Sequence, residues 1–541
     1  MDFSNFLSRK VMNFFSLAIH ALVIVFFAPW TFAATLPELP LVYIDTTFNL
    51  PLVNVITVNS GDNFQKALNR AELGDVIVLE AGATFQGPFT LPNKTTGSGW
   101  IYIMSSAYNK LPPLGTRVSP SDAPNMPSIN VTSGGSAIRT ADNAHHYRFV
   151  GIEFSPAEGE FVHNLIQIGN ADTTEETLPH NIFFDRCYIH GDPALGGRRG
   201  IAMDGKGIAV IDSYVSGFIQ TGFDTQALWA YNTLGPLKIV NNYLEGAGEN
   251  VLIGGADPRI VNCVPSDIEI RHNHFHKPLD WKERRGTIKN LFELKNAKRV
   301  LIEGNIFENN WGDAQTGFAI LFTVRNQSGK APWSTVEDIT FRYNKIINSD
   351  HGFNMLGIDL TYPSGSDVQT RILIQDNLLT DVRGRIFQIL SGNNDLTIDH
   401  NTVLSGTHIA THDGLPKNDG FVFTNNILLK GSYGFFGSGA GEGNPCLAAY
   451  YEEGWTFDKN VIIGGHSNRY PQGNWFPPDI TSVGFIDDGN YRLAPDSPFK
   501  NAGTDGKDIG ADIDAIEAAT AGVRTGNFLH LPRSLKIAPV E

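Results

Sequence analysis

The sequence predicts an all-β fold: a right-handed parallel β-helix solenoid of about 11 to 13 coils with a short N-terminal capping helix. Three observations predict it. A six-residue pattern (apolar, any, any, Asn, any, apolar) recurs through the second half of the chain, at Ile239–Leu244, Ile270–Phe275, Ile302–Phe307, Phe341–Ile346, Ile374–Leu379, Ile398–Val403, Phe423–Leu428 and Phe457–Ile462. Around each copy, apolar and polar residues alternate with period two, as in Ile268-Glu269-Ile270, and Gly, Asn and Asp clusters punctuate the runs. The spacing between the repeated Asn residues runs from 24 to 39 residues, and the shortest interval suits three short strands and three turns.

The fourth slot is Asn at 242, 273, 305, 344, 377, 401, 426 and 460, and degenerate earlier copies put Ile152, Cys187 and Ser213 there. Asn tolerates left-handed backbone at a corner, and its amide can bond to amides above and below. These residues are therefore expected to hold corners and do no chemistry. Ahead of the repeats, residues 62–71 form an amphipathic helix followed by the buried run Val76–Leu79, which fits a cap over the open end of the stack. Beyond Asn460 the pattern fades, and a weak helix is expected over 513–519; the Gly- and aromatic-rich insert 431–455 reads as a loop overhanging a face.

The first 33 residues read as a signal peptide: Arg9 and Lys10, an apolar run from Val11 to Ala28, and small residues before Ala34. An uncleaved anchor is the alternative. Residues 34–54 are then an extension, 55–515 the β-helix domain and 516–541 a tail. No later segment is apolar for long enough to span a bilayer. The chain carries 41 Lys and Arg against 56 Asp and Glu, a net charge of −15, which repels phosphate backbones and argues against a nucleic-acid partner. Cys187, Cys263 and Cys446 are widely spaced, against a disulfide framework or zinc site. A secreted or periplasmic monomer is expected.

With the repeat, the run Gly61-Asp62-Asn63-Phe64-Gln65-Lys66-Ala67-Leu68, the strand Gly74–Leu79 and the C-terminal Leu493–Pro498 with Asp508–Ala511, residues 55–515 resemble the pectin-lyase-like superfamily. That resemblance implies the β-helix fold and a protein acting on or binding polysaccharide. The superfamily holds lyases, hydrolases, esterases, epimerases, tailspikes and adhesins, so fold does not choose among them. The motif sets of polygalacturonases and of the largest pectate lyase family are absent, and Gly222–Thr225 and Glu249–Gly254 only faintly echo pectin methylesterases. Alginate and dermatan lyases of this fold use a Lys–Arg pair beside a calcium held by Glu and Asn; such residues occur here at a different spacing.

The densest polar stretch is Glu249–Asn326. Alternation sends Phe292 and Leu294 inward, so Glu293 and Lys295 emerge on one face; Phe318, Ile320, Phe322 and Val324 point in, leaving Thr323 and Arg325 out. Eliminating a glycoside from C4 of a uronic acid needs a base for the C5 proton and positive charge at the carboxylate. Lys295 is the candidate base, aided by Arg271, with Glu293 beside it and Arg325 as a carboxylate clamp. His274, Lys282, Asn250, Trp311 and Thr323 are candidate substrate contacts, and Glu249 with Asp257 a candidate Ca2+ pair. The triplet His272, His274 and His276 lacks acidic partners nearby in sequence, and Arg198-Arg199 reads as a surface pair. The expected activity is cleavage of a uronate-containing polysaccharide by β-elimination. Hydrolysis by two of Glu249, Asp257 and Glu293, or non-catalytic glycan binding, are the alternatives.

Overall fold

The computed structural model describes residues 34–50, 54–132, 134–169, 172–284 and 286–528; the signal-peptide reading of residues 1–33 lies outside them. Three long sheets dominate, with 14, 13 and 13 strands among the described residues. Each coil contributes one strand to each sheet in turn. Ser266–Arg271 lies in sheet 1, His274–His276 in sheet 2 and Phe292–Leu294 in sheet 3, and the next coil repeats the order with Ala297–Glu303, Ile306–Asn310 and Phe318–Thr323. Neighbouring rungs pair in parallel, for example Ile270 with Ile302 and Ile302 with Phe341. The fold is the expected parallel β-helix.

The interior is one continuous apolar column. Because rungs repeat at about 4.8 Å, like residues stack on like: Phe275 on Phe307 at 4.4 Å between ring centroids, Phe149 on Phe184 at 5.2 Å and Phe423 on Phe457 at 5.0 Å. Each such ring contributes about 1.5–3 kcal/mol by leaving water.

The Asn ladder runs down the corner between sheets 1 and 2. Asn242 donates from its backbone and its amide to Asn273 Oδ1, at 2.9 and 3.0 Å, and Asn273 repeats this toward Asn305. The chain of bonds continues through Asn344, Asn377, Asn401, Asn426 and Asn460 and ends on Asn474, which the repeat did not reveal. Cys187 and Ser213 extend it upward, the Cys187 N–H donating to Ser213 Oγ at 3.0 Å and the Ser213 N–H to Asn242 Oδ1 at 3.0 Å. One detail corrects the sequence reading. The left-handed residue at each corner is the one before the ladder Asn: Asn241, His272, Gly304, Tyr343, Asp376, His400, Asn425 and Lys459, with φ between 49° and 66°. The Asn is selected for its amide, and its predecessor carries the turn.

Both ends of the column are closed. Helix α1 (Phe64–Arg70), capped by Asn63 Oδ1 accepting from Lys66 N, lays Phe64, Ala67 and Leu68 over the first coils. At the other end the insert 431–455 is not an overhanging loop. Its strand Phe435–Gly437 extends sheet 3, Gly441–Glu442 pairs back antiparallel, and α2 (Asn444–Tyr450) buries Cys446 and Leu447 against the core. Helix α3 (Ile513–Thr520) spans the expected domain boundary at 515 and buries Ile513 and Ile516 beside Leu378. From there the chain runs back up the stack to Phe528, whose N–H donates to Gly115 O at 2.8 Å. Among the described residues no helix is long and apolar enough to cross a membrane.

Candidate active site on the third sheet

Sheet 3 departs from simple alternation. Its strands begin with two consecutive inward residues, Ala227-Leu228, Leu291-Phe292, Ala319-Ile320, Ile386-Phe387 and Ile409-Ala410, all part of the core column. The residue just before each pair is thereby turned to the outer face, and a second outward residue follows it three positions later. The rung register then lines up Arg199, Gln226 and Glu249, followed by Asn290, and beside them Trp229, Leu252, Glu293 and Leu321. Phe318, expected inside, stands in this outer column and stacks on His351 at 4.7 Å, because Ala319 takes the inward slot.

A continuous polar network occupies this face. Arg199 Nε donates to Gln226 Oε1 at 2.7 Å, and Gln226 Nε2 donates to Glu249 Oε2 at 2.7 Å. The Arg199 guanidinium lies 3.8 Å from the Trp229 ring centroid, and Trp229 is held by its indole N–H donating to Gly254 O at 3.0 Å. Lys289 Nζ sits 3.9 Å from Glu249 and 2.5 Å from Asp224. On the next rung Asn290 Nδ2 donates to Glu293 Oε2 at 3.1 Å, while Lys295 Nζ and Thr323 Oγ1 each lie 3.4 Å from Glu293 Oε1. Three carboxylates, Asp224, Glu249 and Glu293, thus share a patch with three cations, Arg199, Lys289 and Lys295.

Burial sets the electrostatics. Glu249 and Glu293 are each 1% exposed. Burial, and then the Glu293 charge, push the Glu249 carboxyl up to about 7, so near neutral pH it sits poised between acid and carboxylate. Beneath it Lys277, fully buried, donates to Gly246 O at 2.5 Å and Ala247 O at 2.9 Å, and burial lowers it to about 7. Asn290 Oδ1 is buried with no hydrogen-bond partner. An orphaned amide oxygen beside two buried carboxylates is an oxygen-donor set of the kind a hard divalent cation takes. Among the described residues no three His, Cys, Asp or Glu converge into a metal cluster; the donors here are two carboxylates and an amide.

Of the residues singled out by sequence, the structure brings together Glu249, Glu293, Lys295 and Thr323. Arg325 lies at their margin, its N–H donating to Lys295 O at 3.0 Å and its guanidinium 3.5 Å from Asp359. The others are elsewhere. Arg271 is on sheet 1, 2.6 Å from Glu303 and 3.5 Å from Glu269, so it does not neighbour Lys295 as expected. His274 is on sheet 2, bonded to Glu308 at 2.7 Å. His272 contacts Ala521 O at 2.6 Å, so the histidine triplet splits between the corner and sheet 2.

Asn250 is a fully buried corner plug: its Nδ2 donates to Leu244 O and His276 O, leaving it no surface for substrate. Asp257 accepts from the Ser328 and Lys330 N–H groups, which ties it to that turn rather than to Glu249. Lys282 lies 5.2 Å from the Trp311 ring centroid, and Trp311 packs on a side cluster with Trp281 and Ile288. Sequence reasoning missed Arg199, Gln226, Trp229, Lys289 and Asn290. Arg199 is 9% exposed, not a surface residue. The one signal available was the pair of apolar residues that follows Gln226 and Asn290, Ala227-Leu228 and Leu291-Phe292.

No protein-family model and no curated protein matches the sequence. Solved structures match in architecture. The catalytic unit of a thermostable α-1,3-glucanase from Streptomyces thermodiastaticus aligns over 80% of this chain and 69% of its own, with 11% identity and a TM-score of 0.47. A mannuronic-acid-specific family 6 polysaccharide lyase from human gut microbiota aligns over 79% and 92%, with 13% identity and a TM-score of 0.44. An alginate lyase from a Paenibacillus species aligns over 62% and 95%, with 16% identity and a TM-score of 0.32. At these identities and TM-scores the matches say nothing of activity; the chain's own three long sheets make it a parallel β-helix protein.

Proposed function

We propose that this chain is an exported, monomeric carbohydrate-active enzyme that cleaves a uronate-containing polysaccharide by β-elimination on the outer face of sheet 3. The observation that carries the reading is the buried Glu249–Glu293 pair with the orphaned Asn290 oxygen, set among Arg199, Lys289 and Lys295. Glu249, Glu293 and Asn290 are the residues that would hold Ca2+, which supplies positive charge to neutralise a uronate carboxylate and acidify its C5 proton. Lys295, with 18% of its side chain exposed, faces solvent at the rim of the pair. With Glu293 engaged by the cation rather than by Lys295, the free Lys295 amine would take the C5 proton, the C4–O4 bond would break as the C4–C5 double bond forms, and the leaving oxygen would take a proton from water. Lys289 and Arg199 hold the carboxylate from the opposite side. The Trp229 ring supports the Arg199 plane and offers an apolar edge to a sugar face.

A second reading has one observation in its favour. Glu249, held up to about 7, beside Glu293 is an acid and carboxylate pair of the kind glycoside hydrolases use. One experiment separates the two. The protein is incubated with a panel of polyuronates, with and without calcium; ultraviolet absorbance of unsaturated ends reports elimination, and a reducing-sugar assay reports total cleavage. Elimination predicts both signals rising together. Reducing ends without absorbance favour hydrolysis, and silence in both removes the enzymatic reading.

A further inference from the structure

Residues 34–50 carry no regular secondary structure, yet they hold fixed positions along sheet 1. The Thr35 N–H donates to Asp395 Oδ1 at 3.1 Å, Glu38 N–H to Asp338 Oδ1 at 3.1 Å and Leu41 N–H to Asp267 Oδ1 at 2.9 Å. Farther along, Lys238 Nζ donates to Ile44 O at 3.0 Å and Arg148 Nη1 to Thr47 O at 3.0 Å. Arg148 Nη2 also donates to Thr46 O at 3.0 Å; the residues whose N–H groups reach aspartates, 35, 38 and 41, are spaced by three.

The sheet supplies the matching ruler. Asp267, Arg299, Asp338, Arg371 and Asp395 occupy one column on successive rungs, each between two paired residues, as the register shows. All five have positive φ, from 49° to 60°, so each is a left-handed residue that interrupts the regular alternation while the one-to-one pairing continues on either side. Acid and base alternate down the column. Arg299 grips Asp267 through two bonds, at 2.7 and 3.0 Å, and Arg371 grips Asp338 likewise at 2.6 and 3.0 Å. The aspartates therefore stand two rungs apart, about 9.6 Å at the usual strand spacing. Three residues of polyproline II chain rise about 9.3 Å. The segment has the composition for that conformation: Pro37 and Pro40 immediately precede the donors Glu38 and Leu41, fix φ and present no N–H of their own. Its outer side chains stay in water, with Leu36 51% and Leu41 71% exposed, so backbone bonds in register with the column, rather than burial of these leucines, hold it.

We propose that the alternating Asp/Arg column of sheet 1 is a peptide-docking track for extended, proline-containing segments with a free N–H every third residue, and that residues 34–47 are its resident ligand. Specificity comes from register. A peptide whose donors are spaced by three meets an aspartate at each, whereas one with an extra residue between two donors satisfies one aspartate and misses the next.

The test uses the full chain. A specific protease site is introduced at residues 51–53 and cut after folding, so that the stability of the solenoid without its segment is not at issue during folding. A fluorescein-labelled synthetic peptide of residues 34–50 is then added. The proposal expects saturable anisotropy on the cut protein as the labelled peptide exchanges with the resident segment, and none on the uncut protein, whose track is occupied at high effective concentration. A peptide with one Gly inserted between Glu38 and Leu39 should bind about ten-fold or more weakly. Asp338→Ala in the cut chain should weaken the native peptide by a similar factor. Equal binding of native and frame-shifted peptides, or cut protein that binds neither while its circular dichroism is unchanged, overturns the proposal.

Discussion

Replacing Glu249 by Gln tests the electrostatics of the proposed site without removing volume. In the folded protein the carboxyl is held at about 7, against an ordinary value of 4.5. A group whose proton affinity is raised by folding stabilises the fold fully below its unfolded pKa, and that contribution is lost as pH rises through the folded value. The window is therefore about pH 4.5 to 7. A difference of about 2.5 units at 1.36 kcal/mol each is about 3 kcal/mol, undiscounted because Glu249 is 1% exposed. Gln keeps an acceptor for Gln226 Nε2, which bonds Glu249 at 2.7 Å, and does not titrate.

The assay is urea denaturation of wild type and Glu249→Gln at pH 5 and pH 8 in chelator. The comparison is made within each pH because Lys277, lowered to about 7, acts in the opposite sense, gaining stability as pH rises above its folded value. Because part of the contribution is already lost at pH 5, the variant should gain about 2 to 3 kcal/mol on wild type between pH 5 and pH 8. With millimolar calcium the gain should shrink, because the ion binds the wild-type carboxylate. A pH-independent difference between the two proteins would refute the reasoning.

Three further outcomes follow from the same geometry. Lys295→Ala should abolish elimination on the polyuronate that wild type degrades while leaving circular dichroism and thermal unfolding unchanged; an active variant removes Lys295 as the base. Asn290→Ala should weaken calcium binding, measured by titration calorimetry, by about ten-fold or more, since it deletes a neutral oxygen donor while leaving both carboxylates. Asn377→Ala should destabilise the protein by about 3 kcal/mol or more in urea, because the Asn344 backbone and amide donors lose their shared acceptor in a fully buried corner. A loss below about 0.5 kcal/mol would mean that the ladder bonds are replaceable.

The fold was legible because one residue type repeats at one corner. A buried amide that must bond both neighbours tolerates little substitution, so Asn recurs from 242 to 460 and sets the phase of sheets 1 and 2. Sheet 3 has no such marker. The outward residue of its coil follows the ladder Asn by seven positions for Asn242 and Glu249 but by seventeen for Asn273 and Asn290, because the second coil inserts the Trp281 segment. The two consecutive inward residues then shift the alternation by one, which is why Phe318 was expected inside. Glu293 and Lys295 survived because their strand Phe292–Leu294 alternates cleanly beyond the shift.

Arg271 and His274 misled for a different reason. They precede Glu293 by about twenty residues, but one coil turns through all three sheets, so closeness in sequence puts residues on different faces. Residues that share a face are one whole coil apart, as Gln226, Glu249 and Asn290 are. The expected calcium partner Asp257 failed likewise: it follows Glu249 by eight residues and has already left the strand, where the 328–330 turn engages it.

The most direct measurement is a crystal structure of the Lys295→Ala variant soaked with an oligouronate and calcium. Sugar rings lying along sheet 3, with a carboxylate between Lys289 and an ion on Glu249, Glu293 and Asn290, are the predicted result. Oligosaccharide bound on sheet 1 or sheet 2, with the Glu249–Glu293 face bare, would contradict it.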